Sequence, residues 1–399
     1  MNQMQAGLPN QVDRSPSGFV VGDIISSADI GTYFYRNGNA EMWLKHGSIL
    51  AAAGYPQAKL VDSLKTHGIA GTQTTTVLAL YGEFATDGAG KWVFAYTDAA
   101  NVLVSVDDQK TWAVVAHNCT QPVTSVTYSQ ALGLFIGGGN NSTTFAFCSQ
   151  TQAAVASAWT SRTGTAITTG TANTTFVRAG ANEVVAACAA NGAGAGQASY
   201  STNGTTWTAK NFAAGLNSPF VQSALVNCGG SNWYYQQSGL SQKSTDGQTW
   251  TNVTVPGAMQ HAVFAFSQLF CSTTSGELYT SPLGATGTFT SIGTPMVANK
   301  IKRLYFDGTR LYSPLYNGST FFPAFAWSLD GSSWFVRGIA KSWINTAETI
   351  MGVATNGTIG FMPIGAAGSS YSSFSNADFV GIPTMSQTTG SVFYSKIKG

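Results

Sequence analysis

The stretch Ser244-Thr245-Asp246-Gly247-Gln248-Thr249-Trp250 decides how the rest of this chain is read. An Asp-Gly pair flanked by hydroxyl residues and closed by Trp is a tight turn. The carboxylate of Asp246 can accept backbone N–H groups just ahead of it, and Gly247 tolerates a positive φ. Ser244 and Thr249 can tie down the strand ends, and Trp250 starts the returning strand as a large apolar plug. One such turn predicts a hairpin. Here it recurs.

The same pattern stands at Ser201-Thr-Asn203-Gly204-Thr-Thr-Trp207 and at Ser328-Leu-Asp330-Gly331-Ser-Ser-Trp334. A looser copy, Val106-Asp-Asp108-Gln109-Lys-Thr-Trp112, keeps Asp108 four residues before the Trp. Weaker copies end at Trp159, Phe289 and Phe379. Successive aromatics are 47, 48, 43, 39, 45 and 45 residues apart. A near-constant period in this range marks a propeller or another array of repeated units.

These heptads resemble the Asp-box (BNR) repeat of sialidase-like β-propellers, over roughly residues 74 to 384. The resemblance implies a structural turn on the outer rim, away from the ligand face, and carries little information about activity. The expected fold is all-β: a seven-bladed propeller of four-stranded antiparallel blades over residues 74–399. A small α/β attachment segment with an extended arm precedes it over residues 1–73.

Composition agrees. Charged residues make up 9% of the chain and aromatics 12%, with 45 Gly, which suits short strands and tight turns rather than helical bundles. A net charge of +2 argues against nucleic acid, which needs a concentrated basic face. No apolar run is long enough to insert into a membrane, and the first residues lack the pattern of an export signal.

Within the leading segment, Gly22-Asp-Ile, Met42-Trp-Leu-Lys-His-Gly-Ser and Tyr55-Pro56 are similar to the collar-type module of bacteriophage tail fibres, over about 35 residues. Residues 57–67 read as an amphipathic helix, 68–75 as a linker, and Thr76–Leu80 as the first inner strand. The terminal run 390–397 reads as an extra strand that either closes the ring or meets another subunit.

Four-stranded blades place the loops between second and third strands on one face together with the loops between blades. On that face Tyr316, Asn317, Phe321, Phe322 and Trp343 are candidate ligand contacts, since sugars stack on aromatics and bond to amides and hydroxyls. Catalytic chemistry is not expected. Sialidases resemble one another in an arginine triad, and here Arg178, Arg303 and Arg310 show no shared register. A glycosidase needs two facing carboxylates; the remaining pairing would be Glu348 with Asp330 or Asp378. The histidines show no ligand spacing and no CxxC occurs, so neither metal nor cofactor is expected. The five cysteines read as small apolar residues made in a reducing cytoplasm.

The two resemblances together imply a bacteriophage tail-fibre or receptor-binding protein, assembled in the host cytoplasm and carried on the virion tail. It would bind a host surface glycan or pilus, contact other tail proteins through residues 1–73, and form a homotrimer. A glycan-cleaving enzyme and a purely architectural tail or baseplate component are the alternatives.

Overall fold

The computed structural model describes most of residues 82–364, apart from short connecting stretches. It also describes the backbone of strands at 24–27, 33–36, 41–45, 49–51, 65–72, 370–375, 379–381 and 392–398. Among the described residues there is no α-helix. Two compact units emerge, one from Met1–Thr66 with Phe374–Gly399, the other from His67–Ser373.

The larger unit is a β-propeller. Its six blades are built from consecutive antiparallel strands, opening with the inner strands Glu83–Thr86, Val123–Ser129, Thr171–Ala179, Leu225–Asn227 and Met259–Ala265. The sixth opens with the split inner strand Lys300–Ile301 and Tyr305–Phe306. Each inner strand lies beside the next blade's inner strand. Between the sixth and first blades sits a closing sheet of Glu348–Val353, Thr358–Ile364 and Ser370–Ser375, whose fourth strand is Lys65–Thr72 from the other end of the chain.

Several expectations are corrected here. A seven-bladed propeller of four-stranded blades was expected, and the propeller has six blades. The seventh anchor, Phe379, lies in Phe379–Gly381 and pairs with Ile49–Ala51 in a separate two-stranded sheet. The stretch read as the end of a helix and a linker is the strand Lys65–Thr72, and residues 57–64 of the expected helix lie outside the described residues. The terminal strand Val392–Lys398 does not close the ring. It inserts between Ile24–Ser27 and Glu41–Lys45 in the smaller unit's sheet. The first blade's inner strand is Glu83–Thr86 rather than Thr76–Leu80.

What binds one blade to the next is legible in the turns. Asp246 Oδ1 accepts the N–H groups of Gln248 at 2.7 Å and Thr249 at 2.6 Å, and Ser244 Oγ donates to the same oxygen at 2.9 Å. Asp330 repeats this with Ser332, Ser333 and Ser328, and Asn203 with Thr205 and Thr206. The glycines that follow have φ of +68°, +70° and +80° at Gly204, Gly247 and Gly331. Each also presses on the preceding blade: a Cβ on Gly204 would meet Ile136 at 2.9 Å, and one on Gly331 would meet the Phe270 ring at 2.1 Å. The plug follows the same route. Trp207, from the third blade, stacks on Phe147 of the second at 3.7 Å between centroids. Trp159, Trp250 and Trp334 likewise join clusters shared with the blade before them.

The first copy is one residue longer than its sequence suggests. Asp107, not Asp108, receives the Thr111 N–H at 2.9 Å and the Ser105 hydroxyl at 2.8 Å. Asp108 turns back to accept the indole N–H of Trp92 at 3.0 Å. The extra residue is absorbed by positive φ at both Asp108 and Gln109, +58° and +68°. Gly137–Gly139 belong to the strand Leu134–Asn140, and a Cβ on Gly138 would lie 2.1 Å from Val177 of the next blade.

Two stability outcomes follow from this geometry. Gly331→Ala combines a left-handed backbone with collision against Phe270 and is expected to cost about 3 kcal/mol or more. Gly230→Ala shares the positive φ but has open space around it, so about 1–2 kcal/mol is expected. Urea unfolding of both variants checks the difference. Hydrogen bonds from Ser333, Ser332 and Ser328 hold the Asp330 carboxyl below its ordinary range, against the smaller effect of burial. Its contribution is therefore present above the unfolded pKa near 4 and is lost as pH falls below that value. Asp330→Ala is expected to cost about 1–2 kcal/mol, the usual size of a lost cap. Asp330→Asn, which copies Asn203, should be close to neutral at pH 7 and should lose this acid dependence.

Candidate functional site

The polar groups that the fold brings together lie on the innermost strands. Glu83, on the first blade's inner strand, pairs with Arg178 on the third blade's, with Nη1 donating to Oε2 at 2.7 Å and Nη2 to Oε1. Ser125, between them on the second blade, donates its hydroxyl to Glu83. It also accepts the Val177 N–H at 2.9 Å. Three successive blades are thus tied by one carboxylate, one hydroxyl and one guanidinium. Burial works against the charge of Arg178, but Glu83 outweighs it and raises the guanidinium's pKa.

Across the ring stand His261 on the fifth blade and Arg303 and Tyr305 on the sixth. His261 Nδ1 accepts the Leu304 N–H at 3.2 Å, and its ring lies 5.8 Å from that of Tyr305. Burial, followed by the charges of Arg303 and Arg178, pushes the His261 pKa down to about 3, so the imidazole is neutral across the physiological range. Arg303 is only 6% exposed. The belt brings hydroxyl and guanidinium donors from successive blades together. Within it the Ser125 hydroxyl donates to the Glu83 carboxylate, which Arg178 also grips.

Sequence reasoning missed this belt. Arg178 and Arg303 were noted on inner halves of blades, but only ring closure faces them toward common neighbours. The third arginine, Arg310, is elsewhere, its guanidinium 5.7 Å from the centre of the Trp327 ring. Of the expected ligand contacts, Tyr316 and Phe321 face one another across the sixth blade's second and third strands, and Phe322 follows in the third. Their side chains, with Asn317 and Trp343, lie outside the described residues. The acid pairing of Glu348 with Asp330 or Asp378 gains no support from Asp330, whose oxygens are held within its own turn. The side chain of Glu348 and all of Asp378 also lie outside the described residues.

A second cluster joins residues that the sequence reading kept apart. Ligand atoms of His117, Cys119 and Cys148 all lie within 4.8 Å of one another, and all three residues are buried. The His117-Asn118-Cys119 spacing was the visible signal. Its partner Cys148 sits on a strand of the second blade and is recognisable only in three dimensions.

No family model matches the chain, and no curated protein matches it in sequence. Solved structures do. One titled "YCF48 bound to D1 peptide" superposes with a TM-score of 0.51 at 13% identity, covering 86% of this chain and 96% of that one. YCF48 from Cyanidioschyzon merolae gives 0.52 at 13% identity, covering 78% and 98%. The WD40 β-propeller domain of Doa1 gives 0.52 at 10% identity, covering 78% and 97%. At such identities the likeness speaks for architecture, and the architecture is that of a β-propeller.

The neutral His261 sets an acid limit on stability. A histidine whose folded pKa lies below its unfolded value near 6.5 contributes fully above that value. The contribution falls away as pH drops from 6.5 toward 3. Replacing His261 by Gln should flatten the stability–pH curve in that window by up to about 1.4 kcal/mol per pH unit. Urea midpoints measured for both proteins between pH 7 and pH 4 test this.

Proposed function

We propose that this chain is a bacteriophage tail-fibre or receptor-binding structural protein. Its Asp-box propeller adsorbs to a host surface polysaccharide or pilus. The observation that carries the binding reading over hydrolysis is the engagement of the propeller's carboxylates. Each described one is held by neighbours within the fold: Glu83 by Arg178, Glu183 by the Trp233 indole, Glu277 by Ser291, and Asp307 by Tyr312. Asp87, Asp107, Asp108, Asp246 and Asp330 serve turns or indoles. A hydrolase needs two carboxylates free to exchange protons with a substrate, and rigid adhesion does not.

Three further points support this reading. The Ser-hydroxyl caps at 201, 244 and 328, with the side-chain oxygens of Asn203, Asp246 and Asp330, have the form expected of Asp-box turns. The smaller compact unit gathers both chain ends, which suits an attachment module to other tail proteins through residues 1–73. Low charge with many Gly, Ser and Thr suits a stiff particle component, assembled as a homotrimer in the host cytoplasm and carried on the virion tail.

Purified protein incubated with host surface polysaccharide should be retained on it without shortening the chains, whereas shortened chains would establish hydrolysis instead. Electron micrographs of particles labelled with antibody against residues 82–364 should show the label distal and accessible. Label reaching the epitope only after particle disruption would make the chain an internal architectural component.

A further inference from the structure

Among the five cysteines, Cys119 and Cys148 stand apart. Cys119 lies on the connector from the first blade to the second, and Cys148 within the second blade's third strand, Phe145–Thr151. Their sulfurs are within 4.8 Å of each other, and the Cys148 thiol donates to the Gly137 carbonyl at 3.9 Å. Burial pushes Cys148 well up, as it does Cys188, Cys228 and Cys271, with Cys188 and Cys228 at about 12. Cys119 shifts the other way. The neighbouring Cys148 thiol, opposed by burial, combines with the backbone N–H groups of Gln121 and Thr120 to favour the thiolate. A thiol with more thiolate character beside a second thiol is the arrangement that thiol–disulfide exchange uses.

His117 completes the cluster, yet its Nδ1 already accepts the Cys119 amide proton at 2.9 Å. A metal ion at that nitrogen would have to displace a backbone hydrogen bond in a buried setting, which is unfavourable. The same bond turns the connector back on itself at Asn118, whose φ is +48°. Ligation through Nδ1 is therefore disfavoured, and the two neighbouring sulfurs remain as a reactive pair.

We propose that Cys119 and Cys148 form a latent disulfide, closed by exchange with a low-molecular-weight disulfide when the protein leaves reducing surroundings. The Cys119 thiolate attacks one sulfur of the small disulfide. That S–S bond breaks, and the departing thiolate takes the electron pair and a proton. Cys148 then gives up its proton and attacks Cys119 Sγ in the mixed disulfide, which expels the second small thiol. Two protein thiols are oxidised and one small disulfide is reduced to two thiols. Cys119 is the entry point because it is 8% exposed while Cys148 is fully buried.

The clasp would lock the connector between two blades to the body of the second, across the loop from residue 119 to 148. Cross-linking a loop of that size restricts the unfolded chain, so the oxidised form should melt several degrees higher. This inference stands independently of the proposed adsorption, since it rests on the propeller alone.

The test uses the full chain incubated with oxidised glutathione, then alkylated under denaturing conditions and mapped by mass spectrometry. The expected result is a fall from five free thiols to three, with the Cys119 and Cys148 peptides linked and the melting temperature raised. Cys148→Ala should stop at a glutathione adduct on Cys119, with Cys188, Cys228 and Cys271 unmodified. Five free thiols after folded protein is held in excess oxidised glutathione would overturn the proposal. So would first modification at one of the other three cysteines. Native mass spectrometry showing a bound zinc ion that keeps both thiols from reacting would also overturn it, in favour of metal ligation.

Discussion

The contact on which the propeller depends is the insertion of an aromatic ring from one blade's outer turn into the blade before it. A four-stranded blade has two apolar faces and cannot bury either alone. Trp159, Trp207, Trp250 and Trp334 fill the gap on one side, with Trp207 flat against Phe147. The glycine that makes the turn possible also clears the space for it, since a side chain at Gly331 would occupy the place of the Phe270 ring. One short turn therefore does two things: it reverses the chain and seats the next blade.

On the inner side a different chemistry takes over. Inner strands converge, so the side chains there come from different blades and must satisfy one another. Glu83, Ser125 and Arg178 bridge three blades in succession, and His261, Arg303 and Tyr305 stand across the ring. Buried ionised groups are tolerated only where they are paired or hydrogen-bonded. That requirement explains why the acids of this propeller are engaged with neighbours and why His261 stays neutral between two arginines. The interior is apolar at the blade interfaces and polar on the inner strands, and the two zones come from alternate residues of the same strands.

Turn chemistry was legible at Asp246 and Asp330 because every atom it needs lies within seven residues. The copy ending at Trp112 was misread for the same reason. With Asp107 and Asp108 adjacent, nothing local distinguishes the carboxylate that caps the turn from the one that reaches Trp92. Blade closure was illegible for another reason. Phe379 falls on the period, yet Phe379–Gly381 finds its partner in Ile49–Ala51, and the place of a fourth strand is taken by Lys65–Thr72. A strand's partner is chosen by which free edge it meets, and an edge is a property of the folded ring.

The amino-acid order by itself determined the repeated unit, its length, and the residues that cap and plug each turn, since hydrogen bonds over two or three positions and a spacing of about 45 residues depend on nothing further away. Only the tertiary structure decided which strands complete the ring, which acids answer which arginines, and that Cys119 meets Cys148. Those pairings join residues dozens of positions apart. Closing such distances is governed by the packing of whole blades, which no local pattern encodes.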